Sequence, residues 1–308
     1  MSDRPLLAIV GPTASGKTAL SLDLAAALGG EIVSADSRQI YRSMDIGTAK
    51  ATEAERMRVP HHLVDIVAPD QVLTAAEYQP LAYRTIEAIQ DRDRLPLLVG
   101  GTGQYVLSVL EGWRIPAVPP QPDLRAELER QASVEGPAAL HARLAGCDPA
   151  AAATIDHRNV RRVIRALEVF LITGRPISEQ QTKRPPPYRV CRLGINRERP
   201  ALYARIDARV DAMLAAGLVE EVRALVAAGY GWDLPAMSGL GYRQIGQYLR
   251  GEITLAEAAA LIKKLTRRFV HQQLTWFRPD DPGIRWVDPG RDSFEEILAE
   301  ARAWLSAG

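Results

Sequence analysis

Gly11-Pro12-Thr13-Ala14-Ser15-Gly16-Lys17-Thr18 sets glycines, a lysine and a threonine at the spacing G-x-x-x-x-G-K-[ST]. The chemistry open to such a segment is anion binding. Glycines let the backbone curl until successive N–H groups converge on phosphate oxygens, and Lys17 adds a mobile cation. The Thr18 hydroxyl stands where loops of this kind hold Mg²⁺. Two further segments carry polar groups at the end of apolar runs. One is Ser34-Ala35-Asp36-Ser37-Arg38-Gln39-Ile40-Tyr41, with a carboxylate; the other is Gly100-Gly101-Thr102-Gly103, with a hydroxyl in a glycine turn.

These groups need elements that bring them together. Residues 6–10 are an apolar run that predicts a strand, and 18–28 a helix with Leu20, Leu24, Ala27 and Leu28 on one face, closed by Gly29-Gly30. Residues 31–35 predict a second strand, 74–90 a helix, and 95–99 a third, buried strand. Alternation of strand and helix predicts a parallel sheet covered on both faces. Ligands of open sheets sit beyond the carboxyl ends of the strands, where the glycine loop, Asp36 and Thr102 all fall. Two proline clusters then punctuate the chain: Pro116, Pro119, Pro120 and Pro122, and later Pro185, Pro186 and Pro187. Residues 123–183 between them are helical in pattern, which predicts a small helical domain inserted through stiff hinges. After it, 188–195 predicts a strand, and 200–229 and 255–277 long helices.

Bulk properties bound the class of protein. The 308 residues suffice for more than one domain, and 38 Lys plus Arg against 37 Asp plus Glu leave a formal charge of +1. Global charge therefore gives no reason to expect nucleic acid; only local patches can. The two cysteines, Cys147 and Cys191, have no metal-ligand spacing and point to a reducing compartment. No signal peptide precedes the first strand and no apolar run approaches the roughly 20 residues of a membrane span, so a cytoplasmic protein is expected.

A glycine loop of this kind most often binds ATP or GTP, but three features pull elsewhere. The strand 95–99 ends in Gly-Gly-Thr-Gly without the acidic residue that helps a hydrolysing NTPase hold Mg²⁺. The carboxylate sits instead after strand 31–35, and no N-K-x-D motif for a purine is present.

Gly11–Thr18, Asp36-Ser37-Arg38-Gln39-Ile40-Tyr41, Asp45-Ile46-Gly47-Thr48-Ala49-Lys50 and His61-His62-Leu63-Val64-Asp65 occur in the order seen in tRNA dimethylallyltransferases. So do Gly100-Gly101-Thr102-Gly103-Gln104-Tyr105, Arg165-Ala166-Leu167-Glu168-Val169 and Gly241-Tyr242-Arg243-Gln244. The resemblance runs from about residue 6 to 278. It implies an α/β fold, a P-loop NTPase-like parallel sheet flanked by helices, with core segments 1–117 and 188–308 and an inserted helical, tRNA-contacting domain at 118–187. It also implies transfer of a dimethylallyl group from dimethylallyl diphosphate to N6 of the adenosine just 3′ of the anticodon.

That reaction makes sense of the residues. Diphosphate is the leaving group, so the loop would cradle an anion whose charge grows as the allylic C–O bond breaks, a role in which each preorganised donor is worth about 10²–10³ in rate. Residues Gly11, Pro12, Thr13, Ala14, Ser15, Gly16, Lys17 and Thr18 are expected to form this cradle, with Mg²⁺ held through Thr18. The adenine amine is a poor nucleophile that must shed a proton as it attacks, and Asp36 resembles the general base for it. Thr102 matches a position that contacts the target nucleotide. Arg205 and Arg209, spaced i,i+4, are candidate cations for the diphosphate, Arg209 above all; Asp207, Asp211 and Glu220 offer them surface ion pairs instead.

The target nucleotide would be flipped out of its loop, read by Asp36, Ser37, Arg38 and Gln39, the Gln39 amide suiting a base edge. Arg158, Arg161, Arg162 and Arg165 follow i, i+3, i+4, i+7 and are expected on one RNA-facing helix face, opposite Val160, Val163, Ile164, Leu167 and Leu171. Lys263, Lys264, Arg267, Arg268 and His271 form a second basic face, of RNA or of plain solvated type. The resemblance adds Arg125, Val163, Ile164 and the run Ser238, Gly239, Leu240, Gly241, Tyr242 and Arg243 as tRNA contacts. The partners expected are the tRNA anticodon stem-loop and the prenyl diphosphate, with no membrane and a monomeric state. The chain departs from the family's usual pattern at Gln104, at Asp156-His157-Arg158-Asn159 and at Val270-His271-Gln272-Gln273. Two rivals remain: a small-molecule kinase using ATP, and a non-catalytic RNA-binding protein with a vestigial loop.

Overall fold

A computed structural model describes residues 4–307. The chain divides into two compact units, 1–110 with 187–308, and 111–186.

The first unit opens with β1 (Arg4–Val10), α1 (Lys17–Leu28), β2 (Gly30–Ser34), α2 (Glu53–Arg58), β3 (His61–His62), α3 (Ala75–Gln90), β4 (Leu95–Gly100) and α4 (Gly103–Glu111). With β5 (Tyr188–Ile195) and β6 (Arg285–Val287) from later in the chain, its strands form one parallel six-stranded sheet in the order β3-β2-β4-β1-β5-β6, the parallel arrangement that the alternation predicts. The unbroken apolar run of β1 is explained by burial on both faces. Leu6, Ala8 and Val10 enter one apolar cluster, while Leu7 and Ile9 enter the other. Helix α3 starts at a capping box, the Thr74 hydroxyl accepting from Glu77 N (3.3 Å) and the Glu77 carboxylate from Thr74 N (2.8 Å). Tyr78 of this helix is fully buried, stacks on Tyr105 with centroids 4.0 Å apart, and donates its hydroxyl to the Ser34 carbonyl (2.8 Å). That bond fixes the end of β2, two residues before Asp36.

The second unit comprises α5 (Pro122–Glu135), α6 (Pro137–Cys147), α7 (Pro149–Thr154), α8 (Val160–Thr173) and α9 (Ile177–Gln180). Leu128, Leu140, Leu144, Val163, Ile164 and Leu167 are buried in its own apolar core. It begins at 111, earlier than the prolines suggest, because its two ends are stitched together: Arg114 N donates to Thr182 O (2.8 Å) and Arg184 N to Gly112 O (2.9 Å).

The chain returns to the first unit with β5 (Tyr188–Ile195), α10 (Arg199–Ala215), α11 (Leu218–Ala227), α12 (Tyr242–Leu249), α13 (Leu255–Leu274), β6 (Arg285–Val287) and α14 (Phe294–Ser306). The single helical stretch expected at 200–229 is broken at Gly217, whose φ of 100° no helix continues through. Strands β3 and β6, of two and three residues, lie at the two sheet edges and are too short for any periodicity to reveal. Among the described residues no helix is long and apolar enough to cross a membrane.

Candidate active site

The loops after β1, β2 and β4, three neighbouring strands, converge at the carboxyl edge of the sheet. At Gly11 (φ 141°) a Cβ would stand 2.3 Å from the Ile195 carbonyl oxygen, so only glycine lets β1 leave the sheet beside β5. The loop then wraps to the N-terminus of α1. Ser15 N donates to Pro12 O (3.4 Å) and Thr13 N to Gln273 Oε1 (2.8 Å). Among the described residues the amides of Ala14, Gly16, Lys17 and Thr18 donate to no protein acceptor, and they lie at the positive end of the helix. The loop is braced from outside: Arg197 Nε donates to Ser15 O (2.8 Å) and Arg205 Nε to Ala14 O (2.9 Å). Lys17 Nζ rests on the carbonyls of Gly11 and Pro12 at 2.9 and 2.7 Å. Burial pushes this ammonium down to about 8, with Asp36 pulling it up and Arg209 adding to the depression.

Asp36 follows β2. One carboxylate oxygen accepts from Arg38 N (2.9 Å), and no ion pair engages it among the described residues. Thr102, after β4, accepts from Ser37 N (2.9 Å) and donates to Ser37 Oγ (3.2 Å), joining the two strand ends. A cavity of about 390 Å³ is lined by Lys17, Thr18, Asp36, Thr102 and Arg209, with an apolar wall from Ile206, Val210, Met213, Ile262 and Phe269. A second, of about 970 Å³, shares Thr18, Ala49, Arg209 and Met213 with it. Two mouths thus meet at the end of the phosphate loop.

Asp207 and Asp211, each two residues from Arg209 on α10, lie off its face of the helix and pair elsewhere. Asp211 pairs with Lys263 (2.6 Å) and Asp207 with Arg267, in a ladder between α10 and α13 that continues through Tyr203 and His271 (3.1 Å). Burial lowers the Arg209 pKa, opposed by the charge of Asp36, and no described residue accepts a hydrogen bond from its guanidinium. Lys263, Arg267 and His271 therefore hold two helices together, and only Lys264 and Arg268 of that basic face have no partner among the described residues.

Several expected RNA contacts are buried or already engaged within the protein. Val163 and Ile164 are 0% and 3% exposed, because the apolar stripe of α8 fills the core of its unit. Arg165 and Arg125 both grip Glu168, a carboxylate with no exposed side-chain surface. Arg125 does so through two bonds of 2.8 Å and Arg165 through one of 2.6 Å. Arg158 pairs with Asp156. Arg161 and Arg162 alone of the stripe are exposed without a partner among the described residues. Gln39, expected to read a base edge, gives its amide N–H groups to the carbonyls of Thr48 and Ala49 (3.4 and 3.2 Å) and receives Ser34 Oγ (3.1 Å). Tyr242 is 1% exposed, its hydroxyl donated to Glu221 (2.6 Å). Arg38 reaches across to the Pro235 carbonyl (2.7 Å), Ser238 and Arg243 are exposed, and Ser238, Leu240 and Gly241 line the smaller cavity.

Sequence reasoning missed Arg197 and Gln273. Gln273 is 5% exposed, and besides Thr13 N it holds Gly101 O through Nε2 (3.0 Å), so one amide spans the loops after β1 and β4. No spacing rule links a residue of a C-terminal helix to the first loop; only the packing of α13 does.

Fold and site together define a P-loop-like α/β protein in which a carboxylate and a hydroxyl line one cavity with the glycine-rich loop. The model of the family described as IPP transferase matches residues 39–280, and the chain belongs to that family. A tRNA dimethylallyltransferase of Roseiflexus sp. (strain RS-1) is 56% identical over 303 residues, 98% of this chain and 99% of the relative. One from Chloroflexus aggregans is 57% identical over 294 residues, 96% of this chain and 99% of the relative. The crystal structure of the tRNA isopentenylpyrophosphate transferase of Bacillus halodurans superposes with a TM-score of 0.74 at 42% identity, covering 99% and 97% of the two chains. A eukaryotic dimethylallyltransferase acting on tRNA gives a TM-score of 0.84 at 25% identity, covering 99% and 80%.

Proposed function

We propose that the chain transfers a dimethylallyl group from dimethylallyl diphosphate to N6 of the adenosine 3′-adjacent to the anticodon of tRNA. The observation that carries this reading is the lining of one cavity by Asp36, the phosphate loop, Arg209, which has no acid partner among the described residues, and an apolar wall. The diphosphate would lie on the free amides of Ala14, Gly16, Lys17 and Thr18, with Lys17 and Arg209 as its cations. Its five-carbon tail would pack against Val210, Met213, Ile262 and Phe269. The adenine enters past Ser238, Leu240 and Gly241 and presents its amine to Asp36, whose carboxylate takes the proton as the C–N bond forms and the C–O bond breaks. Thr102 fixes Ser37, and with it the turn that carries Asp36.

Mg²⁺ fits the donors present. It prefers oxygen, keeps several waters and takes few protein ligands beside substrate phosphates. The exposed Thr18 hydroxyl at the start of α1 is such a donor, and both cavities reach it. Bound there, Mg²⁺ would supply further positive charge to the leaving diphosphate. The same site would act on a tRNA in the cytoplasm as a monomer.

Incubation with labelled dimethylallyl diphosphate, Mg²⁺ and unmodified tRNA tests the reading. Label on the adenosine next to the anticodon is expected. Turnover of ATP with no label on tRNA would establish the kinase instead.

A further inference from the structure

The smaller cavity is bounded on one side by Ser37, Arg38, Gln39, Gly47, Thr48 and Ala49, and on the other by Ser238, Leu240 and Gly241. The first wall belongs to residues 37–50, which contain no helix or strand; a short ladder to 65–67 (Asp65 N to Gln39 O, Val67 N to Ile40 O, Arg42 N to Val67 O) holds only its start, so something more must hold 43–50. Two charges do. Beneath it, the Lys50 ammonium, its side chain 1% exposed, donates to Tyr41 O and to the carboxylates of Asp45 and Asp65 at 2.5, 2.7 and 2.5 Å. From the other side the Glu221 carboxylate on α11 accepts three consecutive amides, Asp45 N (2.8 Å), Ile46 N (2.7 Å) and Gly47 N (3.1 Å). Converging amides of this kind form an anion nest, and here the anion is a side chain of the protein.

Glu221 has a fourth donor, the Tyr242 hydroxyl at 2.6 Å. Tyr242 opens α12 directly after Gly241, so the same carboxylate holds both walls. Gly47 makes the approach possible: a Cβ there would lie 2.5 Å from the Tyr242 ring. Burial and the neighbouring Glu221 charge hold the tyrosine far above its ordinary pKa, so it stays a neutral donor. None of these contacts touches the phosphate loop, which rests on β1, Arg197, Arg205 and Gln273.

We propose that Glu221 and Tyr242 are positioning residues that set the width of the nucleoside entrance, so that Tyr242, a tRNA contact by the resemblance, acts through the protein rather than by contact. The proposal rests on the reading of this cavity as the nucleoside site. Glu221→Gln keeps the size of the side chain but removes the charge and turns an N–H₂ toward the nest. Its KM for tRNA should rise about tenfold while its KM for dimethylallyl diphosphate moves by less than about twofold. Tyr242→Phe, which keeps the ring against Gly47, should raise the tRNA KM about threefold with the same selectivity. Equal rises in both KM values, or an unchanged tRNA KM with a lower thermal midpoint, would leave the pair a plain structural tie and overturn the proposal. Fluorescence anisotropy with an anticodon stem-loop and no donor gives the same comparison without turnover. A wild-type chain that binds this RNA but transfers no label would sink the functional reading alone. Unaltered RNA affinity in both variants sinks the positioning role of Glu221 and Tyr242 alone.

Discussion

Asp36 and Lys17 face each other across the site, and each makes a prediction of its own. Asp36→Asn is nearly isosteric and keeps an acceptor for Arg38 N, so the turn should survive. Loss of a general base is worth about 10²–10⁴ in rate, and kcat should fall by that order with tRNA affinity preserved. Undiminished single-turnover transfer would remove Asp36 from the chemistry. Lys17 titrates near 8 in the folded protein against an ordinary 10.5. The sign follows from the lowered value: burial of the ammonium opposes folding in full below pH 8, and that cost is relieved as pH rises from 8 to 10.5. Binding of an anion favours the protonated form, so the KM for dimethylallyl diphosphate should climb above pH 8, by at most about tenfold per unit. Lys17→Arg should flatten that limb of the pH profile.

At the scale of the element, the arginine stripe of α8 shows how a pattern on one helix is overruled by its neighbour. Glu168 lies one turn from Arg165 and pairs with it, and Arg125 of α5 completes the grip. Burial pushes the Glu168 carboxyl up, but Arg125, Gln121 N–H and Arg165 together draw it down to about 2. Its stabilising effect is therefore full above pH 4.5 and is lost as pH falls toward 2. Glu168→Ala strands two guanidinium groups beside an apolar core and should cost about 2–4 kcal/mol, read as a lower thermal midpoint. The ladder between α10 and α13 is the same lesson with a functional consequence. It engages Asp207 and Asp211, while Arg209, on a different face of α10, lines the cavity.

For the whole molecule, a formal charge of +1 means that affinity for RNA must come from local cations. Arg161, Arg162 and Arg243 are exposed and have no acid partner among the described residues. Arg161→Ala with Arg162→Ala should weaken tRNA binding and lower the slope of log K against log salt by about one to two, while leaving the donor KM unchanged. Arg125→Ala should instead lower stability; a salt slope reduced as much as in the double variant would return Arg125 to the RNA surface. By itself the sequence determined the four inner strands of the sheet, the glycine loop, the placing of Asp36 and Thr102 at strand ends and the inserted helical unit. Each rests on local rules, such as glycine spacing, apolar periodicity and the placing of loops at strand ends, that act within a few residues. Only the tertiary structure decided which cations are free, that Gln39 and Tyr242 brace the site, and that Gln273 and Glu221 hold its loops. Those outcomes depend on which groups meet across 43 residues, as Arg125 meets Glu168, or across 260, as Thr13 meets Gln273. A buried charge or amide must find a partner wherever packing supplies one, and no pattern along the chain records where that is.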